Sequence, residues 1–244
     1  MRMIRSFEEY VDKTSYAQSP EELFDAYLLA VKRHGLDRAL FALITDHTEI
    51  NKSAGVGVIH NFPQDWMTHY FEKEFHKVDP VIIYGAEKVE AYTWAEIPLN
   101  LELTKKQKLC LNYGNEAGLH SGVATYLHAG RNQTAGVSLA SSHKKDSFDG
   151  RVDLITAYSN HFYMMYRKMH NVKDHKPTNI LLTDKEREVL VWAAAGKSNL
   201  DIGCILTMSE NTVDFHLRNI FRKLDCNSRI VAIVKAITLG LIRS

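Results

Sequence analysis

Four sets of residues in this 244-residue chain have types and spacings that could do chemistry. Trp66 and Tyr70 stand one helical turn apart, and Asp79 and Trp94 follow. Together they offer an indole N–H donor, a carboxylate acceptor and aromatic walls, a set suited to a small ligand with a carbonyl, an N–H and an apolar part. A Trp and a Tyr four apart are more often core than site, so the expectation rests on the ordered set. Ser138 lies in Gly136-Val137-Ser138-Leu139-Ala140, one residue short of the G-x-S-x-G turn that exposes a nucleophilic serine. The final Gly is missing, and the following residues read as strand then loop where that turn needs a helix, so no catalytic residue is expected. Glu72 and His76 share a helix face with His69 a turn back, but no further ligand stands at a fixed spacing, which favours a solvated polar face over a metal site. Near the C-terminus, Arg218, Arg222 and Lys223 form a basic helix face that could touch nucleic acid.

The elements that must position these groups follow from the apolar periods. Leu23, Phe24, Tyr27, Leu28 and Val31 recur at helical spacing, with Gly35 as a stop. Short β-like runs at 39–45 and 56–59 precede a helix expected to begin at Pro63, whose fixed φ suits a first turn. That helix carries Trp66 and Tyr70. A helix at 104–117 comes next, then strands at 122–128 and 134–141 joined by the polar turn 129–133, a hairpin that carries Ser138. Along 152–169, Ile155, Tyr158, Phe162, Met165 and Met169 keep a spacing fit to face a sheet or a partner subunit. Residues 171–179 are polar, contain Pro177 and lack an apolar period, so the chain is expected to divide into domains at 1–170 and 180–244 with a linker at 171–179.

Thirty Lys plus Arg against twenty-nine Asp plus Glu leave the chain near neutral, so nucleic-acid binding would need a local patch. Cys110, Cys204 and Cys226 lie far apart without C-x-x-C spacing, which speaks against a zinc site or a disulfide framework and for reduced thiols in the cytoplasm. Residues 1–10 carry no apolar stretch and no run of about 18 apolar residues occurs, so neither export nor membrane insertion is expected.

In the C-terminal domain Thr183 and Glu186 fit a capping box, Gly196 supplies a left-handed stop, and Ser198 caps a short second helix. A tight turn at Thr207-Met208-Ser209 leads into a third helix ending near Lys223, and a fourth runs over 229–239. A short helix, a tight turn and a longer helix make the helix-turn-helix plan. On the third helix Val213, Leu217, Ile220 and Leu224 form an apolar stripe beside a polar one of Asn211, Asp214, Arg218 and Arg222. Asp214 could accept from cytosine N4 or pair with Arg218 one turn on. The stretches from Leu182 to Leu190, Ala195 to Ser198 and Ile205 to His216 resemble the LuxR-type DNA-binding domain. That resemblance implies a homodimer on a two-fold promoter site, and the expected DNA contacts are Lys197, Asn211, Thr212, Asp214, Phe215, Arg218, Arg222, Lys223 and Arg229.

Asn61-Phe62-Pro63-Gln64-Asp65-Trp66, Tyr70, Asp79-Pro80-Val81, Trp94 and Gly118-Leu119-His120-Ser121-Gly122 resemble the acyl-homoserine-lactone-binding domain of LuxR-type quorum-sensing receptors. A signal ligand rather than a cofactor is implied. By resemblance, the Trp66 N–H would meet the lactone carbonyl, Asp79 would accept from the ligand amide, Tyr70 and Trp94 would wall the pocket, and Ser138 would reach the acyl carbonyl region. Pro80 is expected to hold Asp79 extended and aim its carboxylate away from the helix. Where many family members carry a Tyr four residues before the Trp, Phe62 stands here and cannot donate a hydrogen bond. Ser138 or a water would then serve, or the signal is not a lactone. The expected fold is α+β: an α/β/α sandwich sensor with a central antiparallel sheet, plus an all-α four-helix helix-turn-helix domain. The rivals are a regulator of this architecture sensing a non-lactone signal, a serine hydrolase acting on lactones through Ser138, and a phosphorylation-controlled sensor, for which residues 1–10 lack paired acidic residues at the end of a strand.

Overall fold

A computed structural model of the chain describes residues 4–47, 52–55, 59–86, 88, 90–129, 133–144, 148, 151–170 and 180–242. They divide near residue 172 into two compact units, with Ala129 at the end of the hairpin strand grouped with the second. The expected linker lies outside the described residues, as do 56–58 of the second β-like run and 130–132 of the hairpin turn.

The first unit is built on an antiparallel sheet of five strands, β1 (Arg38–Leu43), β2 (Ile59–His60), β3 (Tyr92–Thr93), β4 (Ser121–Ala129) and β5 (Gln133–Ser141), in the order β2-β1-β5-β4-β3. Helices cover both faces, as expected for the sandwich. On one face Phe41 meets Phe162 and Tyr166 of α7 (Val152–Met169), with ring centroids 5.0 and 4.9 Å away. Helix α2 (Pro20–Lys32) lies against α7, and a buried bond between the Tyr27 and Ser159 hydroxyls (2.7 Å) closes that seam. Helix α1 (Phe7–Ser15), which the sequence reading does not anticipate, is capped by Ser6, whose hydroxyl accepts from the Glu9 amide.

The other face carries α3 (Gln64–Glu72), α4 (Pro80–Gly85), α5 (Ile97–Asn100) and α6 (Lys105–Glu116). Pro63 does not open α3. It occupies the N-cap position with φ −53° and ψ 131°, and the helix begins at Gln64. Strand β1 stops two residues before the expected end because the amides of Ile44 and Thr45 both donate to the Thr134 carbonyl, at 2.9 and 3.1 Å.

The second unit is all α: α8 (Asp184–Ala194), α9 (Asn199–Leu206), α10 (Glu210–Lys223) and α11 (Arg229–Thr238). Thr183 with Glu186 and Ser198 with Asp201 form capping boxes, and Gly196 takes the left-handed φ of 78° that ends α8. Val213, Leu217, Ile220 and Leu224 of the apolar stripe are all buried, against Val189, Leu190, Ile202 and Ala232. Burying that face leaves the opposite face of α10 in solvent. No helix among the described residues is long and apolar enough to cross a membrane.

Candidate functional site

A cavity of about 340 Å³ lies between the sheet of the first unit and its α3, α4 and α6 face. Phe62, Trp66, Tyr70, Asp79, Trp94 and Ser138 all line it. Helical spacing brings Trp66 and Tyr70 onto one face of α3, where the Trp66 ring meets Tyr70 edge-on at 5.5 Å and stacks on Phe75 at 6.2 Å. Among the described residues nothing in the chain bonds the Trp66 indole N–H or the Ser138 hydroxyl.

Asp79 is the N-cap of α4, and this corrects the expected direction of its carboxylate. Pro80 does keep the backbone extended at ψ 117°, but the side chain turns onto its own helix, where Oδ1 accepts from the Val81 amide at 2.8 Å. Oδ2 accepts from the Tyr70 hydroxyl at 2.7 Å, so one carboxylate ties α3 to α4. Burial raises its pKa above the usual aspartate value, outweighing the lowering by the Tyr70, Val81 and Ile82 donors. Burial and the Asp79 charge together push the Tyr70 phenol and the Cys110 thiol up, leaving both neutral.

Two tyrosines that the sequence reading does not single out support this arrangement, Tyr92 donating to the Val81 carbonyl and Tyr126 to the Ile82 carbonyl (2.8 Å). They pin the first turn of α4 and thereby its N-cap. Trp94 rests on β4, where only a glycine fits: a Cβ on Gly122 would stand 2.5 Å from Trp94 Cε2 and would strike the Leu139 carbonyl. The sequence reading also omits Leu40, Ala42 and Ile44 of the sheet face, Cys110 and Gly114 of α6, and Gly136, all of which line the cavity. Alternation along β1 and the three-to-four spacing on α6 are the signals that could have found them.

Ser138 sits inside β5, opposite Leu40, and not at a strand-to-helix turn. His69 packs edge-on against Tyr113 at 4.8 Å, and no three metal-ligating side chains converge among the described residues.

On the second unit, Asn211, Thr212, Phe215, Arg218 and Arg222 lie on α10 away from the buried stripe, with Asp214 half-buried and Lys197 exposed before α9. The Asp214 carboxylate meets the Arg218 guanidinium at 2.5 Å, the pairing weighed from the sequence. Phe215 is 60% exposed, an aromatic ring with no place in the core. Two of the nine expected DNA contacts are turned inward. Lys223 Nζ donates to Glu186 Oε2 at 2.6 Å and to the Leu181 carbonyl at 2.9 Å. Arg229 donates to Asn199 Oδ1 at 2.8 Å and to the Lys197 carbonyl, tying α11 to the start of α9. Burial would raise the Glu186 carboxyl, but bonds from Lys223 and Thr183 hold it below the usual glutamate range.

Residues 19–166 match the family model for the autoinducer binding domain, and residues 181–236 match that for bacterial regulatory proteins of the luxR family. The quorum sensing-dependent transcriptional regulator RpaR of Rhodopseudomonas palustris is 32% identical over 184 residues, 75% of this chain and 73% of its own. The transcriptional activator LuxR of Aliivibrio fischeri is 31% identical over 210 residues, covering 83% of this chain and 81% of its own. The crystal structure of Escherichia coli SdiA shares the fold with a TM-score of 0.57 at 21% identity, covering 98% of this chain and all of that one.

Proposed function

Because this chain belongs to the LuxR family of quorum-sensing transcription regulators, we propose that its cavity binds an acyl-homoserine lactone and that α10 reads promoter DNA. The family consists of regulators, not enzymes, so the cavity is a sensor site and Ser138 is no nucleophile. We place the sensor at 1–170, the linker at 171–179 and the DNA-binding domain at 180–244, acting as a cytoplasmic homodimer on a two-fold operator.

One observation carries the ligand reading: the six residues singled out by the sequence line a single cavity. Trp66 and Ser138 bring unused polar groups to it, beside the Asp79 carboxylate. The indole donates to the lactone carbonyl, Asp79 accepts from the amide N–H, and Tyr70 holds Asp79 while walling the pocket with Phe62 and Trp94. Ser138 bonds the acyl carbonyl region, where Phe62 cannot. For DNA, Arg218, steadied by Asp214, suits bidentate contact with guanine, while Arg222, Lys197, Asn211 and Thr212 supply backbone and base contacts. Lys223 and Arg229 position the helices that carry these groups.

A thermal-shift series tests the reading. A lactone at a hundred times its dissociation constant is expected to stabilise the protein by about 2.7 kcal/mol. If no acyl chain length shifts the melting temperature or gives a heat of binding, the ligand is not an acyl-homoserine lactone.

A further inference from the structure

We propose that Ile44, which leans over Gly136 at the end of β1, sets the length of the apolar tail that the cavity accepts; this rests on reading the cavity as an acyl-ligand site. Alternation along the strand puts Leu40, Ala42 and Ile44 on one face, and all three line the cavity. Across the register Ser138 pairs with Leu40 and Gly136 with Ala42. The cavity floor therefore passes from a row bearing a hydroxyl and an isobutyl group to a row bearing one methyl and one hydrogen. A glycine inside a strand has no side chain to pack and marks a place where something else comes close to the backbone. The resulting trough lies roughly 6–7 Å along the strand from Ser138.

Ile44 closes the trough. A Cβ built on Gly136 would lie 3.3 Å from Ile44 Cδ1 and 3.5 Å from its Cγ1, so the isoleucine already reaches across the glycine. Its backbone is fixed there by the bulge that ends β1. The Ile44 and Thr45 amides share the Thr134 carbonyl, and the Thr134 amide donates to Thr45 Oγ1 at 2.9 Å. Bulges of this kind re-aim a side chain at a strand end, and a β-branched residue has little χ1 freedom with which to step aside. A tail running from Ser138 along the trough meets a stiff stop, and its length is read there.

The test is calorimetric titration of the full chain with straight-chain acyl-homoserine lactones from butanoyl to dodecanoyl, for wild type, Ile44→Ala and Gly136→Ala, with melting temperatures recorded alongside. Wild type is expected to show an optimum length. Ile44→Ala moves that optimum to longer tails, each further methylene gaining about fourfold in affinity. Gly136→Ala fills the trough and moves the optimum to shorter tails. An optimum that stays put in both variants, or an equal loss at every length, overturns the assignment of Ile44 while leaving the acyl-ligand reading intact. Wild type binding no member of the series overturns that reading and this inference with it.

Discussion

Asp79→Asn is expected to lower affinity for the best-binding lactone about 10- to 100-fold while the unliganded variant melts at or above wild type. The two effects have opposite causes in one carboxylate. Burial makes its charge unfavourable, which is why its pKa is raised despite bonds from Tyr70 and Val81. The folded protein therefore holds the Asp79 proton to higher pH than the unfolded chain, and stability falls as pH rises from the ordinary value of 3.8 through the raised one. Asn removes that cost and keeps an oxygen for the Val81 amide, but it accepts from a ligand N–H without the help of charge. Below the raised pKa the charge on the wild-type acceptor is lost too, so wild-type affinity is expected to fall on acidification while that of Asp79→Asn stays flat. Melting curves and calorimetry on the same samples check this; a loss of affinity matched by an equal loss of stability would show Asp79 to be a structural cap alone.

The second large effect is expected at Lys223. Lys223→Ala strands Glu186, whose side chain is only 5% exposed, and is expected to cost about 3 kcal/mol, the low end for breaking a buried pair because the lysine is 31% exposed. The loss should be complete at neutral pH and shrink on acidification. With its carboxyl held low in the fold, Glu186 contributes stability above the ordinary value of 4.5 that disappears as pH falls through the lowered one. Arg222 offers the contrast, exposed and, among the described residues, bonded only to Asn219 (3.0 Å). Arg222→Ala is expected to leave stability unchanged and to reduce the slope of log affinity against log salt on a non-specific duplex by about one, whereas Lys223→Ala leaves the slope alone. Urea melts followed by Trp192 fluorescence, with duplex binding at two salt concentrations, separate the two. A stable Lys223→Ala protein with a reduced slope would make Lys223 a DNA contact, as expected from the sequence.

The Lys223–Glu186 pair shows where sequence reading stops. The stripe on α10 is legible because Val213, Leu217, Ile220 and Leu224 repeat with the helix, but the partner of Lys223 lies in α8, 37 residues away, and no local pattern points to it. Trp66, Tyr70, Asp79 and Trp94 are likewise legible as an ordered set, whereas Ala42, Ile44 and Gly136 join the cavity only once β1 and β5 are in register. Helix α4 has a run of apolar and β-branched residues, Pro80-Val81-Ile82-Ile83, that suits a strand as well as a helix. The Asp79 cap and the Tyr92 and Tyr126 hydroxyls on its carbonyls decide for helix. Helix α1 did have a local signal: Phe7, Tyr10, Val11 and Thr14 keep helical spacing, and Tyr10 packs edge-on against Tyr158 at 5.0 Å.

The central claim, that a lactone sits against Trp66 in the cavity, is tested most directly on the three indole N–H resonances of 15N-tryptophan-labelled protein. Trp66 and Trp94 line the cavity, while Trp192 belongs to α8 in the other unit and serves as an internal reference. Saturating lactone is expected to move the Trp66 indole resonance as its N–H gains an acceptor, to perturb Trp94 through ring contact, and to leave Trp192 in place. A Trp66 resonance that does not move under a lactone shown by calorimetry to be bound would contradict the account.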